Sequence, residues 1–380
     1  MDAYPRNDTP NRRSFLLGAG AAGMCLAASP TGAGAAAGDA SVDLPLTARA
    51  LRSAQSTLRT GPIEGHRFSM VGLTWRGDVA AGALVRTRTQ GIWSDWRALE
   101  LLHDRPDHGT EGRGDLRATA PLWVGSSDAV DVRVPGGVRP GLSLALIDTG
   151  SGDSAWSARQ SARETQPTTE APKPPIQSRR SWRANEKWRD GGPTYNRTIQ
   201  QVHIHHTATS NDYAASEVPA ILRAIYRYHA KNLGWSDIGY NFLVDRFGTI
   251  WQGRAGGNGR PVRGAHTLGF NSTSVGVSVI GNFDTAKPSA AVIRSLVRLS
   301  AWKLDMYGRR PAGRAKVYSQ GSDRYAAGQK VKLPVIDGHR DTNDTACPGG
   351  NVYAQLGAIR RRAQRRVDRY NEPDMVWEPA

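Results

Sequence analysis

The ten residues 166–175, QPTTEAPKPP, constrain this chain more than any other stretch. Proline fixes φ and supplies no backbone N–H, so the tract joins neither a helix interior nor a central strand. Its polar remainder cannot bury a core and should be semi-extended. Whatever folds must therefore fold on either side of it. A chain of 380 residues is also too long for one ordinary core. The expected layout is a leader at 1–38, an N-terminal domain at 39–150, a linker at 151–180 and a C-terminal domain at 181–372. The two domains are expected to hang on a loose tether.

Before the tract, residues 68–75 (FSMVGLTW) and 83–89 (ALVRTRT) alternate, are β-rich and are bounded by Gly or Gly-Asp. Residues 93–96, 122–124, 129–134 and 142–148 continue the pattern. Short strands with Gly/Pro/Asp turns and no long helix argue a small all-β sandwich or jelly roll. No cluster of His, Cys and carboxylates stands out in it, so an accessory or binding module is expected there.

After the tract, strand and helix patterns alternate. QVHIH at 201–205 places Val202 and Ile204 on one face and His203 and His205 on the other. Residues 216–231 carry a helical apolar stripe that includes His229, closed by Asn232 and Gly234. A hairpin is expected over 241–251, a buried strand over 275–280, and a Ser-capped helix over 289–307. A strand over 331–337 and a basic helix over 352–370 complete the domain. The sum is α/β: a mixed central sheet flanked by helices.

The N-terminus specifies a compartment. Arg12-Arg13 leads into a weakly apolar Ala/Gly run with Ala-x-Ala cleavage sites near residue 35, which resembles a twin-arginine export signal. A secreted, extracellular or wall-associated product without stable membrane insertion is expected, as a monomer. Cleavage would remove Cys25 and leave Cys347 alone. A net charge of +16 favours polyanionic partners such as anionic wall polymers. Nucleic acid is not expected: no interleaved aromatic–basic motif accompanies the charge.

A lone thiol in an exported chain needs a reason. His205 and His339 each end a strand, and Cys347 returns after a polar loop. Two imidazoles and a thiolate on separate elements make a three-ligand tetrahedral site with one open position, the pattern of catalytic zinc. The same residues also read as satisfied core histidines and a buried inert thiol.

Four segments decide between these readings: VHIHHTATSND, GWSDIGYNFLVDRFGTIWQGR, GAHTLGFNSTSVGVSVIGNF and GHRDTNDTACPGG. Together, and in this order, they resemble the peptidoglycan recognition protein and type-2 N-acetylmuramoyl-L-alanine amidase family, which includes a bacteriophage lysozyme with amidase activity. The resemblance implies Zn²⁺ held by His205, His339 and Cys347, and a catalytic role for Tyr240. Thr345 stands where some members carry a catalytic lysine. His266 and Asn271 match positions lining the substrate groove. His206 is placed with them, beside the metal. Recognition-only members often carry serine at the cysteine position, so Cys347 points to a hydrolase.

The function implied is exported, zinc-dependent cleavage of the amide between N-acetylmuramic acid and L-alanine, with peptidoglycan as partner. A non-catalytic peptidoglycan-binding protein is the alternative. No carboxylate in the matched segments offers itself as a general base. The segment after Gly253-Arg254 departs from animal patterns, so stem-peptide preference does not transfer.

Overall fold

The strand Gln201–His206 is hydrogen-bonded on both edges to parallel partners, Ser274–Val279 and Ile336–Gly338. The computed structural model describes residues 40–47, 52–54, 57–77, 82–136, 139–150 and 170–371. The expected export signal at 1–38 and most of the linker lie outside the described residues. Among the described residues, no helix is long and apolar enough to cross a membrane.

Six strands form the C-terminal sheet, in the order Ile176–Gln177, Ile250–Gln252, Phe242–Val244, Ser274–Val279, Gln201–His206 and Ile336–Gly338. Phe242–Val244 and Ile250–Gln252 make the expected antiparallel hairpin, so the sheet is mixed. Both of its faces are covered. Val202, Ile204, Phe242, Val244, Val275 and Val277 pack with the helices Ala290–Asp305 and Leu356–Asn371. Leu243 and Trp251, one position out of phase, pack with the helix Val218–Arg227 instead. Covering both faces is what a largely parallel sheet requires, and it explains why all six residues of Gln201–His206 are buried despite their alternating polarity. His203 and His205 thus lie on the face away from the larger helix pair.

Local chemistry sets the boundaries. The Ser289 hydroxyl accepts from Val292 N at 3.2 Å and caps Ala290–Asp305. Val218–Arg227 continues as a wider π turn, Tyr228–Asn232. The strand expected over 331–337 is two strands. Lys330–Pro334 pairs with Arg314–Tyr318 in a separate ribbon, and Ile336–Gly338 joins the main sheet. Val335 N still donates to Gly313 O in the ribbon, whereas Val335 O accepts from Val202 N of the main sheet, so the chain changes partner at Val335. The basic helix begins with the turn Gly350–Tyr353 and runs on as Leu356–Asn371.

The N-terminal part is all-β. Ile63–Arg76 and Leu122–Pro135 are its long strands, and Leu84–Thr89 and Ser143–Ile147 flank them. Val71, Leu73, Trp75, Val85, Val130, Val132 and Leu144 form its own core. Met70, Ala118, Trp123, Ala145 and Ile147 point elsewhere, into one apolar cluster with Ile221, Ala224, Tyr226 and Tyr228 of the C-terminal part.

The expectation of a loose tether is therefore corrected. The described residues, from 40 to 371, all belong to one compact unit, because the β part carries a second apolar face that needs cover. The Tyr228 hydroxyl adds a polar lock, reaching Leu73 O at 2.9 Å and Thr119 O at 3.1 Å.

Candidate functional site

Parallel register builds the site. Ile204 pairs with Gly338, so the next residue on each strand, His205 and His339, emerges at the same carboxyl edge, where open α/β sheets expose ligands. Their ring centroids are 4.5 Å apart. Cys347 is returned to them by the loop after the turn His339–Asp341, with Arg340 N donating to Cys347 O at 3.0 Å. The sulfur accepts from His206 N at 3.4 Å and lies 3.7 Å from His205 Nδ1. The donor atoms of His205, His339 and Cys347 all fall within 4.8 Å of one another, and all three residues are buried.

Burial sets the protonation of this trio. It lowers His205 and His339 well below the usual imidazole value, and nearby histidines push the same way. Both are neutral at pH 7, the form that ligates metals. Burial likewise pushes the Cys347 thiol well up. Neither ring nitrogen of His339 makes a hydrogen bond. A buried polar atom left so costs about 1–3 kcal/mol, and a cation between the donors removes that cost. The 3.7 Å between Sγ and Nδ1 matches the roughly 3.6 Å edge of a tetrahedron with zinc–sulfur and zinc–nitrogen bonds of about 2.3 and 2.0–2.1 Å. The trio thus fits Zn²⁺. His205 Nε2 lies 3.1 Å from His266 Nδ1, which leaves Nδ1 as the nitrogen that would face a metal beside Cys347.

The remaining expected residues fall around this centre. The Tyr240 ring is 5.7 Å from that of His205, and its hydroxyl is buried. Thr345 accepts from Cys347 N at 3.1 Å and lines a cavity of about 80 Å³ with Cys347, His206 and His339. The His206 imidazole accepts from Phe283 N at 3.1 Å, and its backbone N–H serves the sulfur. His266, expected to line the substrate groove, is fully buried, with Nδ1 3.1 Å from His205 Nε2. The Asn271 side chain is also buried; its Oδ1 accepts from His266 N and Thr267 N. His229 packs on Trp235 and accepts from Gly239 N, which fixes the turn before Tyr240.

One residue escaped the sequence reading. Asp104, from the β part, puts Oδ1 3.0 Å from His205 Nδ1 and 3.6 Å from His339 Nδ1. Its Oδ2 accepts from the Tyr240 hydroxyl at 2.8 Å. The only sequence sign was a polar run, HDRPD at 103–107, among strand-like text. Its meaning depends on how the two parts dock.

With this geometry established, known proteins resemble the chain as follows. Residues 195–350 match the N-acetylmuramoyl-L-alanine amidase family profile. Residues 32–175 match a domain described as Rv3811 N-terminal galactose-binding domain-like, in keeping with the all-β part that precedes the α/β part. Peptidoglycan-recognition protein SC2 of Drosophila simulans is 34% identical over 155 residues, 40% of this chain and 70% of that protein. The human N-acetylmuramoyl-L-alanine amidase is 37% identical over 99 residues, 25% of this chain and 16% of that protein. The solved structure of Drosophila PGRP-LB aligns over 48% of this chain and 93% of its own, at 26% identity and a TM-score of 0.39. The chain belongs to the peptidoglycan recognition protein and type-2 N-acetylmuramoyl-L-alanine amidase family.

Proposed function

We propose that the chain is an exported, zinc-dependent N-acetylmuramoyl-L-alanine amidase that cleaves the lactyl–L-alanine amide of peptidoglycan. The observation that carries this reading is the buried convergence of His205, His339 and Cys347 donor atoms within 4.8 Å. A Zn²⁺ ion held there supplies Lewis acidity toward the scissile carbonyl and acidifies water at an open position.

The chain's own residues do the rest. His266 holds His205 through Nε2, and His206 N–H steadies the Cys347 sulfur. Burial holds the Tyr240 phenol well above its usual value. Tyr240 therefore stays protonated and can donate to the developing oxyanion, a contribution typically worth about 3–4 kcal/mol. Thr345 adds a hydroxyl beside Cys347 without the charge of a lysine. Twin-arginine export, an outward-facing wall substrate and attraction to anionic wall polymers complete the proposal. The +16 charge supports the last.

The test is digestion of purified peptidoglycan by the full-length Gly72→Ala variant, whose added Cβ presses on Tyr228 between the two parts, with and without a chelator, followed by mass spectrometry. Stem peptides with a free L-alanine amine, abolished by chelator and restored by zinc, are expected. Intact wall in the presence of a zinc-loaded, open site would instead make this a recognition protein.

A further inference from the structure

The β part does more than sit beside the centre. Its segment from Glu100 to Gly112 lines the hollows beside His206, His339, Cys347 and Trp235. Asp104 Oδ1 is buried, makes no hydrogen bond, and approaches Nδ1 of both His205 and His339. Asp104 Oδ2 engages the hydroxyl of Tyr240. Asn271, expected to bind substrate, donates Nδ2 to Arg105 O at 2.9 Å and to Asp107 Oδ1 at 3.1 Å. Gly269 N donates to the same Asp107 oxygen at 2.9 Å. Glu111 pairs with Arg254 at 2.8 Å and accepts from Ser236 N. Asn282 Nδ2 donates to Glu100 at 2.8 Å.

We propose that this segment is a built-in cap: Asp104 fills the metal's remaining coordination position and occupies Tyr240, so the chain folds into a latent form. The inference rests on the zinc reading above. An alternative role for Asp104, the missing general base, needs room for substrate beside it. The cavity that remains next to Cys347 and His339 is about 80 Å³, against roughly 300–1,000 Å³ for sites that hold small organic ligands. A glycan with a stem peptide does not enter. The anchors explain why the cap stays put, since Glu100, Asp107 and Glu111 each take donors from the α/β part. Access requires the segment to leave as one piece with the β part, breaking the apolar contact around Tyr228.

Cobalt(II) in place of zinc makes the coordination visible. The full chain, Asp104→Asn and Gly72→Ala are loaded with Co²⁺, metal content is measured, and visible spectra are recorded during titration with acetohydroxamate. Gly72→Ala leaves Asp104 intact and pushes instead on Tyr228, away from the centre.

Wild type should bind one equivalent and show no spectral response to the hydroxamate. Asp104→Asn should alter the spectrum before any hydroxamate is added, as water replaces a carboxylate. Gly72→Ala should bind hydroxamate at least tenfold more tightly than wild type. Identical spectra in wild type and Asp104→Asn, or wild type binding hydroxamate as tightly as Gly72→Ala, overturns the cap and leaves the zinc reading standing. A chain that binds no metal overturns both. If a variant fails to fold, a wild-type site that takes up hydroxamate freely is refutation enough.

Discussion

Gly72 offers the sharpest mechanical test of the docking that places Asp104. It lies in Ile63–Arg76, opposite Ala145, with negative φ, so alanine causes no backbone strain. An added Cβ would fall 2.7 Å from Tyr228 Cε2 and 2.8 Å from its Cζ and hydroxyl oxygen, closer than the 3.0 Å that real Cβ contacts respect. The Tyr228 ring is fully buried, and its hydroxyl is committed to Leu73 O and Thr119 O. It cannot retreat without leaving those carbonyls. Overpacking costs about 1–3 kcal/mol and loss of the hydroxyl bond about 0.5–1.5 kcal/mol, about 2–4 kcal/mol together. At about 1.4 kcal/mol per factor of ten, undocking should increase about thirty-fold to several hundred-fold.

Hydrogen exchange reads this directly. The amides of Trp123, Ser236 and Gly269 donate across the interface, to Thr209, Glu111 and Asp107. Their exchange should accelerate by that factor, while Ile204 in the central strand stays protected. Unchanged exchange at all three, or equal acceleration at Ile204, would refute the reasoning.

Other outcomes follow from single residues. Lys303 is buried, with Nζ donating to Asn258 O and Arg260 O, and burial lowers its pKa to about 7. The unfolded chain, near 10.4, binds more protons between these values, so stability should rise from pH 7 to 10 by up to about 1.4 kcal/mol per unit. Lys303→Met should flatten that rise in denaturant titrations; a slope unchanged from wild type contradicts it. Gly349 has φ 82°, and a Cβ there would meet Phe283 C at 2.4 Å and Asp284 N at 2.7 Å. Gly349→Ala should cost about 3 kcal/mol and weaken zinc binding measurably, because Cys347 lies two residues upstream.

The convergence of His205, His339 and Cys347 was legible because their chemistry is local to strand ends and a tight loop. His205 lies one residue before the end of its strand, His339 follows directly on Gly338 at the end of another, and Cys347 is followed by Pro348-Gly349-Gly350, residues that set a turn. The α/β order was legible for the same reason: its strands and helices announce themselves by apolar period. One expected strand was split at Val335, whose N–H stays with Gly313 of the ribbon while its carbonyl turns to Val202 of the main sheet, a choice that periodicity does not encode. The groove position expected of His266 came from resemblance alone, while its burial against His205 depends on packing that no local pattern encodes.

Asp104 was invisible for a deeper reason. Its role depends on two faces meeting, Met70, Trp123 and Ile147 against Ile221 and Tyr228. A proline-rich tract between two cores says that they fold separately, not that they stay apart.

The central claim is that a zinc ion held by His205, His339 and Cys347 cuts the lactyl–L-alanine amide. The most direct measurement digests purified peptidoglycan with Gly72→Ala, which keeps every site residue, beside the same variant carrying Cys347→Ser, with zinc content determined in each. The account expects free stem peptides beginning at L-alanine from Gly72→Ala and none from the double variant, whose zinc affinity should fall at least tenfold. Zinc-loaded Gly72→Ala that takes up acetohydroxamate yet leaves the wall uncut would contradict it.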